Sequence, residues 1–97
     1  MRISILQAEQ AVAVVRTHLG ADAAVWLFGS RVDDNKRGGD VDIYAETTCA
    51  GVLLRETVRA KIALEQVFGR SVDLVVNNHR KQRPIYQLAR EQGARLA

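Results

Sequence analysis

Two of the three strand-like runs in this sequence place aspartate inside an otherwise apolar setting, and that limits what the chain can become. The runs are AAVWLF at 23–28, DVDIYA at 40–45 and SVDLVVN at 71–77, each rich in strand formers and flanked by polar or glycine-containing segments. Side chains alternate faces along a strand, so Asp40 and Asp42 project the same way, about 6.6 Å apart, while Val41 and Ile43 turn to the opposite, buried face. Asp73 stands between Val72 and Leu74, again a carboxylate in an apolar run. An unpaired buried charge costs several kcal/mol and clustered like charges oppose one another, so three acids on neighbouring strands call for a compensating cation. Magnesium is the natural candidate. It is a hard ion that prefers carboxylate and phosphate oxygens and takes few protein ligands, so a phosphate-bearing substrate is implied.

Between the strands lie helical periodicities. From Ser4 to Leu19, residues Ile5, Ala8, Val12, Val15 and Leu19 form one stripe, with Ser4 and Gln7 suited to a capping box and Gly20 closing the helix. Gly51 to Phe68 carries Leu54, Val58 and Ile62 on one line and Leu53, Ala60, Leu64 and Val67 on its neighbour, a broad apolar face expected to lie against a sheet, stopped by Gly69. Pro84 opens a last helix running to about Glu91, and Gly93 ends it. Arg31 to Gly39 is a polar loop and NHRKQR at 78–83 a basic connector. The order predicts an α+β fold: a small mixed β-sheet with helices packed on one face, one domain spanning residues 1–97.

Composition narrows the function. With 97 residues there is room for one core and none for a separate substrate-binding half. Fourteen Lys and Arg against eleven Asp and Glu give a net charge of +3, which favours an anionic partner such as a nucleotide without demanding nucleic acid. Cys49 is the lone cysteine, which excludes an intrachain disulfide and a cysteine-based zinc site. The start, MRISILQAEQ, lacks a signal-peptide apolar stretch and no apolar run reaches the roughly 20 residues a bilayer span needs, so a cytoplasmic protein without a membrane segment is expected.

Gly29 and Ser30 follow the first strand immediately, where backbone N–H groups and a hydroxyl can meet an oxyanion, and Arg31 adds a guanidinium able to grip phosphate oxygens bidentately. The run LFGSRVDDNKRGGDVDIY resembles the motif of the DNA polymerase beta-like nucleotidyltransferase superfamily: an apolar residue, Gly-Ser, a spacer, then Asp, apolar, Asp, apolar. Phe28, Gly29, Ser30, a nine-residue spacer, Asp40, Val41, Asp42 and Ile43 fill it. Length and element order resemble the minimal nucleotidyltransferases, often the antitoxin of a pair with a helical HEPN toxin. Asp73 falls at the family's third carboxylate, and REQGARL is similar to its terminal pattern.

The resemblance implies that Asp40, Asp42 and Asp73 are catalytic and bind two magnesium ions, that Asp73 helps deprotonate the attacking hydroxyl, and that Gly29, Ser30 and Arg31 hold the phosphates of ATP or another NTP. It further implies transfer of AMP to a tyrosine of a HEPN partner. Asp33 stands where many such antitoxins carry a second arginine. Two other outcomes therefore stay open: a non-catalytic antitoxin that neutralises by binding, and the catalytic subunit of a small-molecule nucleotidyltransferase. Self-association is left open, and nucleic acid is not expected as a direct ligand. Tyr44 shares the face of Asp40 and Asp42 and is a candidate border of a base pocket or a half-buried strand tyrosine, while Trp26 and Phe28 are core by position.

Overall fold

Ser4 starts the first helix as its sequence foretells: its hydroxyl accepts from the Gln7 backbone N–H at 3.0 Å, and its own N–H donates to Gln7 Oε1 at 3.1 Å. The computed structural model describes residues 3–28, 41–48, 54–78 and 84–97. Helix α1 (Ile5–Leu19) ends at Gly20, whose φ of 136° lets the chain reverse, and Arg16 ties the turn by donating from Nε to the Ala23 carbonyl at 3.1 Å. Next come β1 (Ala24–Phe28), β2 (Val41–Glu46), α2 (Leu54–Phe68), β3 (Val72–Asn77), α3 (Pro84–Gln92) and β4 (Ala94–Arg95).

The strands form one sheet in the order β3-β2-β1-β4. β1 runs antiparallel to both β2 and β4, and β2 runs parallel to β3. The sheet is therefore mixed, as expected. A parallel pair needs a crossover, and α2 supplies it. One face of the sheet presents Val25, Leu27, Val41, Ile43, Ala45 and Val72 to Ala11, Val15 and Leu19 of α1 and to Ala60, Leu64 and Phe68 of α2. Thr47 locks the end of β2 to this layer, its hydroxyl donating to the Leu19 carbonyl at 2.6 Å and its N–H to the Asn77 carbonyl at 3.0 Å.

The structure refines the sequence reading in three places. Helices α1 and α2 share a face as expected, but α3 lies on the opposite one, where Tyr86 and Ala89 pack against Trp26 and Tyr44. Those aromatic residues occupy alternate strand positions, so they cannot reach the α1–α2 layer and need a cover of their own. On α2 the broad apolar face is split: Ala60, Leu64 and Phe68 are buried, while Leu54, Val58 and Ile62 are 80%, 45% and 52% exposed. The third difference is β4. Gly93 is more than a helix stop, because a Cβ there would fall 2.3 Å from the Ala89 carbonyl oxygen and 2.9 Å from that of Leu27. Only glycine lets the chain pass so close to β1, and Leu96 N–H then reaches the Val25 carbonyl at 2.7 Å. Among the described residues no helix is long and apolar enough to cross a membrane.

Candidate active site

β2 and β3 each send alternate residues away from the α1–α2 layer. From β2 these are Asp42, Tyr44 and Glu46, and from β3 they are Asp73, Val75 and Asn77. The parallel register sets Asp42 directly opposite Asp73, Tyr44 opposite Val75 and Glu46 opposite Asn77. Neighbouring strands are about 4.8 Å apart, so the two carboxylates issue side by side from one surface. Asp42 is half-buried and Asp73 exposed. On its other flank Asp42 pairs with Phe28, the last residue of β1. Gly29, Ser30, Arg31 and Asp40 lie outside the described residues. Of the predicted site residues, Asp42 and Asp73 are thus brought together, at the end of the sheet where β1 finishes and β2 begins.

Like charges directly opposite one another in a sheet are destabilising. No hydrogen bond or ion pair joins the Asp73 carboxylate to another described residue. Paired carboxylate oxygens on an open face suit a hard divalent cation, which takes a few carboxylates and completes its shell with water or phosphate oxygens. The donor set therefore fits magnesium. Among the described residues no group of three His, Cys, Asp or Glu side chains gathers; the third expected acid, Asp40, lies outside them.

Behind the carboxylates sits a polar tie that sequence reading missed. The Tyr44 hydroxyl donates to Glu46 Oε2 at 2.6 Å and accepts from Asn77 Nδ2 at 3.1 Å. Glu46 Oε2 in turn faces Arg90 Nε at 3.3 Å, and Tyr86 donates to the Val76 carbonyl at 3.4 Å. The Tyr44 ring lies between Trp26 (centroids 5.3 Å apart) and Tyr86 (5.7 Å), and Arg95 caps Trp26 with its guanidinium carbon 5.2 Å from the ring centroid. Burial pushes the Tyr44 phenol up to about 12, helped by the Glu46 carboxylate that accepts its proton, while the Asn77 hydrogen bond and Arg90 pull the other way. Tyr44 is 0% exposed, so it does not border an open pocket; it supports the strands that carry the acids. The only trace of this tie in sequence is that Tyr44 and Glu46 share strand parity with Asp42, and Asn77 with Asp73.

The nucleotidyltransferase domain family matches this chain over residues 8–93. The chain belongs to that family. Among solved structures, one described as "Structure of putative minimal nucleotidyltransferase" is similar with a TM-score of 0.71 and 23% sequence identity, covering 95% of each chain. At that identity the likeness speaks for the fold, which fits the polymerase beta-like class expected from the sequence. A search of curated proteins gave no match. Family membership makes this chain a nucleotidyltransferase domain, and such domains generally use a nucleoside triphosphate and a divalent metal. Of the site residues that the resemblance names, Asp42 and Asp73, the second acid of the Asp-x-Asp pair and the third strand acid, are the ones the described residues carry.

Proposed function

We propose that this nucleotidyltransferase domain transfers AMP from ATP to a hydroxyl of a partner protein in a magnesium-dependent reaction, and that the partner is a helical HEPN-type toxin silenced by the modification. The observation that carries the reading is the pairing of Asp42 with Asp73 on the same open surface. In this reading Asp40, Asp42 and Asp73 hold two magnesium ions. Magnesium bound there supplies Lewis-acid stabilisation of charge developing on phosphate oxygens. Asp73, exposed on β3, receives the proton of the attacking hydroxyl. The hydroxyl oxygen bonds to the α-phosphorus as the bond to pyrophosphate breaks, and Gly29, Ser30 and Arg31 hold the departing phosphates through N–H, hydroxyl and guanidinium donors. In this reading the acceptor hydroxyl belongs to a separate partner protein.

Mass spectrometry of the partner after incubation with this protein, ATP and Mg²⁺ tests the reading: the partner gains the mass of AMP, and Asp42→Ala abolishes the gain. Absence of any gain with the wild-type protein rejects catalysis. A second reading, neutralisation by binding alone, draws on Asp33 at the place of a second phosphate-gripping arginine. It expects Asp73→Ala to leave toxin neutralisation intact.

A further inference from the structure

We infer that the outer face of α2 is a docking ridge for an acidic, amphipathic helix of another protein. Leu54, Val58 and Ile62 recur every fourth residue and form a line about 12 Å long on the helix surface. They point outward because the inner positions Ala60, Leu64 and Phe68 already fill the layer against the sheet. Singly exposed aliphatic residues are ordinary, but three aligned on one helix face mark a surface that seeks a partner. An unpartnered line of this spacing matches a helix that brings its own apolar residues at i, i+4 and i+7.

Charge selects the occupant. One flank of the ridge carries Arg55 and Arg59, both exposed. Arg55 meets only Glu56, at 3.6 Å, and no hydrogen bond or ion pair joins Arg59 to another described residue. The other flank is already neutral: Lys61 Nζ bonds Glu65 Oε2 at 3.0 Å, and the same oxygen accepts from the Val72 N–H at 3.1 Å. A partner helix gains most by setting Asp or Glu beside Arg55 and Arg59. A second copy of this chain fits poorly. An antiparallel two-fold pairing of α2 with itself sets like flank beside like flank, arginine against arginine, in a chain of net charge +3. The ridge lies on the side of the sheet opposite Asp42 and Asp73, so docking there leaves the carboxylate surface uncovered. The proposal therefore stands apart from the nucleotidyl-transfer reading.

Fluorescence anisotropy with a labelled, side-chain-stapled helical peptide carrying leucines at i, i+4 and i+7 and glutamates along one flank tests it. The wild-type protein should bind this peptide at least about tenfold more tightly than a version with lysines in place of the glutamates, with the preference weakening as salt rises. Val58→Asp should abolish binding while the circular dichroism spectrum stays helical and unfolding stays cooperative, because Val58, 45% exposed, lies outside the buried layer. The double change Arg55→Glu, Arg59→Glu should invert the preference toward the lysine peptide. Equal binding of the two peptides, binding of neither, or binding that Val58→Asp leaves intact overturns the proposal. So does sedimentation showing a wild-type dimer that Val58→Asp converts to monomer, since the occupant would then be a second copy.

Discussion

The two faces of the sheet solve the burial problem differently, and the difference points to where chemistry can occur. The face under α1 and α2 is closed mainly by aliphatic contacts: Val25, Leu27, Val41, Ile43 and Ala45 meet Ala11, Val15, Leu19, Ala60 and Leu64, all essentially without solvent exposure. The opposite face is shared. Its far half is sealed by the nine-residue α3, through an aromatic stack tied by Tyr44, Glu46, Asn77 and Arg90. Its near half carries Asp42 and Asp73 and is left open to solvent at Asp73. A continuous apolar layer gives stability and nothing to react with. A layer that stops short leaves two carboxylates on rigid strands, held at fixed spacing by a register that polar bonds lock from behind.

The strongest test separates function from stability across that divide. Asp42→Asn removes one charge of the pair on the open half, so nucleotidyl transfer should fall on the order of a thousandfold, the several kcal/mol that metal-held charge stabilisation supplies. The stability counterpart is read at the other acid: Asp73→Asn, which breaks no bond among the described residues, should hold or raise the thermal midpoint measured without metal, because a like-charge pair is relieved. A large fall in the thermal midpoint would mean the open half is structural after all. On the closed face the expectation is reversed. Leu64→Ala should cost about 2–5 kcal/mol in urea unfolding, as a buried leucine is replaced by a cavity.

Tyr44→Phe probes the seam between the two halves. Losing the hydroxyl removes one hydrogen bond each from Glu46 and Asn77, and about 1–3 kcal/mol should be lost. The alkaline response gives a second readout. The phenol titrates at 10.0 in an ordinary setting and is pushed up to about 12 here, so the folded state holds its proton longer than the unfolded one. The resulting stability is complete below pH 10 and is lost as pH rises toward about 12. In the phenylalanine variant that alkaline decline should flatten; an unchanged decline would show that the hydroxyl is solvated.

Most of the architecture could be read from residue patterns because the pattern and the burial agree. Ser4 and Gln7 cap α1, Gly20 and Gly69 close helices with φ of 136° and 66°, and the alternation around Asp42 gives its face. What escaped depended on contacts between elements. β4 is two residues, Ala94 and Arg95, with no strand character of their own; they pair because the edge of β1 is available and Gly93 can approach it. The Leu54–Val58–Ile62 line looks apolar enough for a core, and only the position of α2 over the sheet decides that its neighbour is buried instead. At the candidate site, strand parity put Asp40 and Asp42 on one surface and the pattern marked Asp73 as a carboxylate in an apolar run, but parity within one strand does not set what it faces on the next. The Asp42–Asp73 pairing needs the parallel register, and the Tyr44–Asn77 bond that spans both strands is a tertiary fact.

The smallest expected effect contrasts two carboxylates at the start of one strand. Asp73 has no bonded partner among the described residues, whereas Glu65 reaches from α2 to the Val72 N–H at 3.1 Å and takes Lys61 Nζ at 3.0 Å. Lys61 foremost, and then the Val72 N–H, hold the Glu65 carboxyl below its ordinary value of 4.5, against a slight opposing effect of burial. A carboxyl with a depressed folded-state pKa adds stability above its unfolded value and loses it as pH falls through the folded one. Glu65→Gln keeps an oxygen to accept from Val72 but removes the charge. The variant should therefore be slightly less stable than wild type at neutral pH, with the gap closing as pH drops below 4.5, measured as thermal midpoints across an acid series. A gap that stays constant down to about pH 3 would mean that the charge contributes nothing and that Glu65 serves β3 only as a hydrogen-bond acceptor.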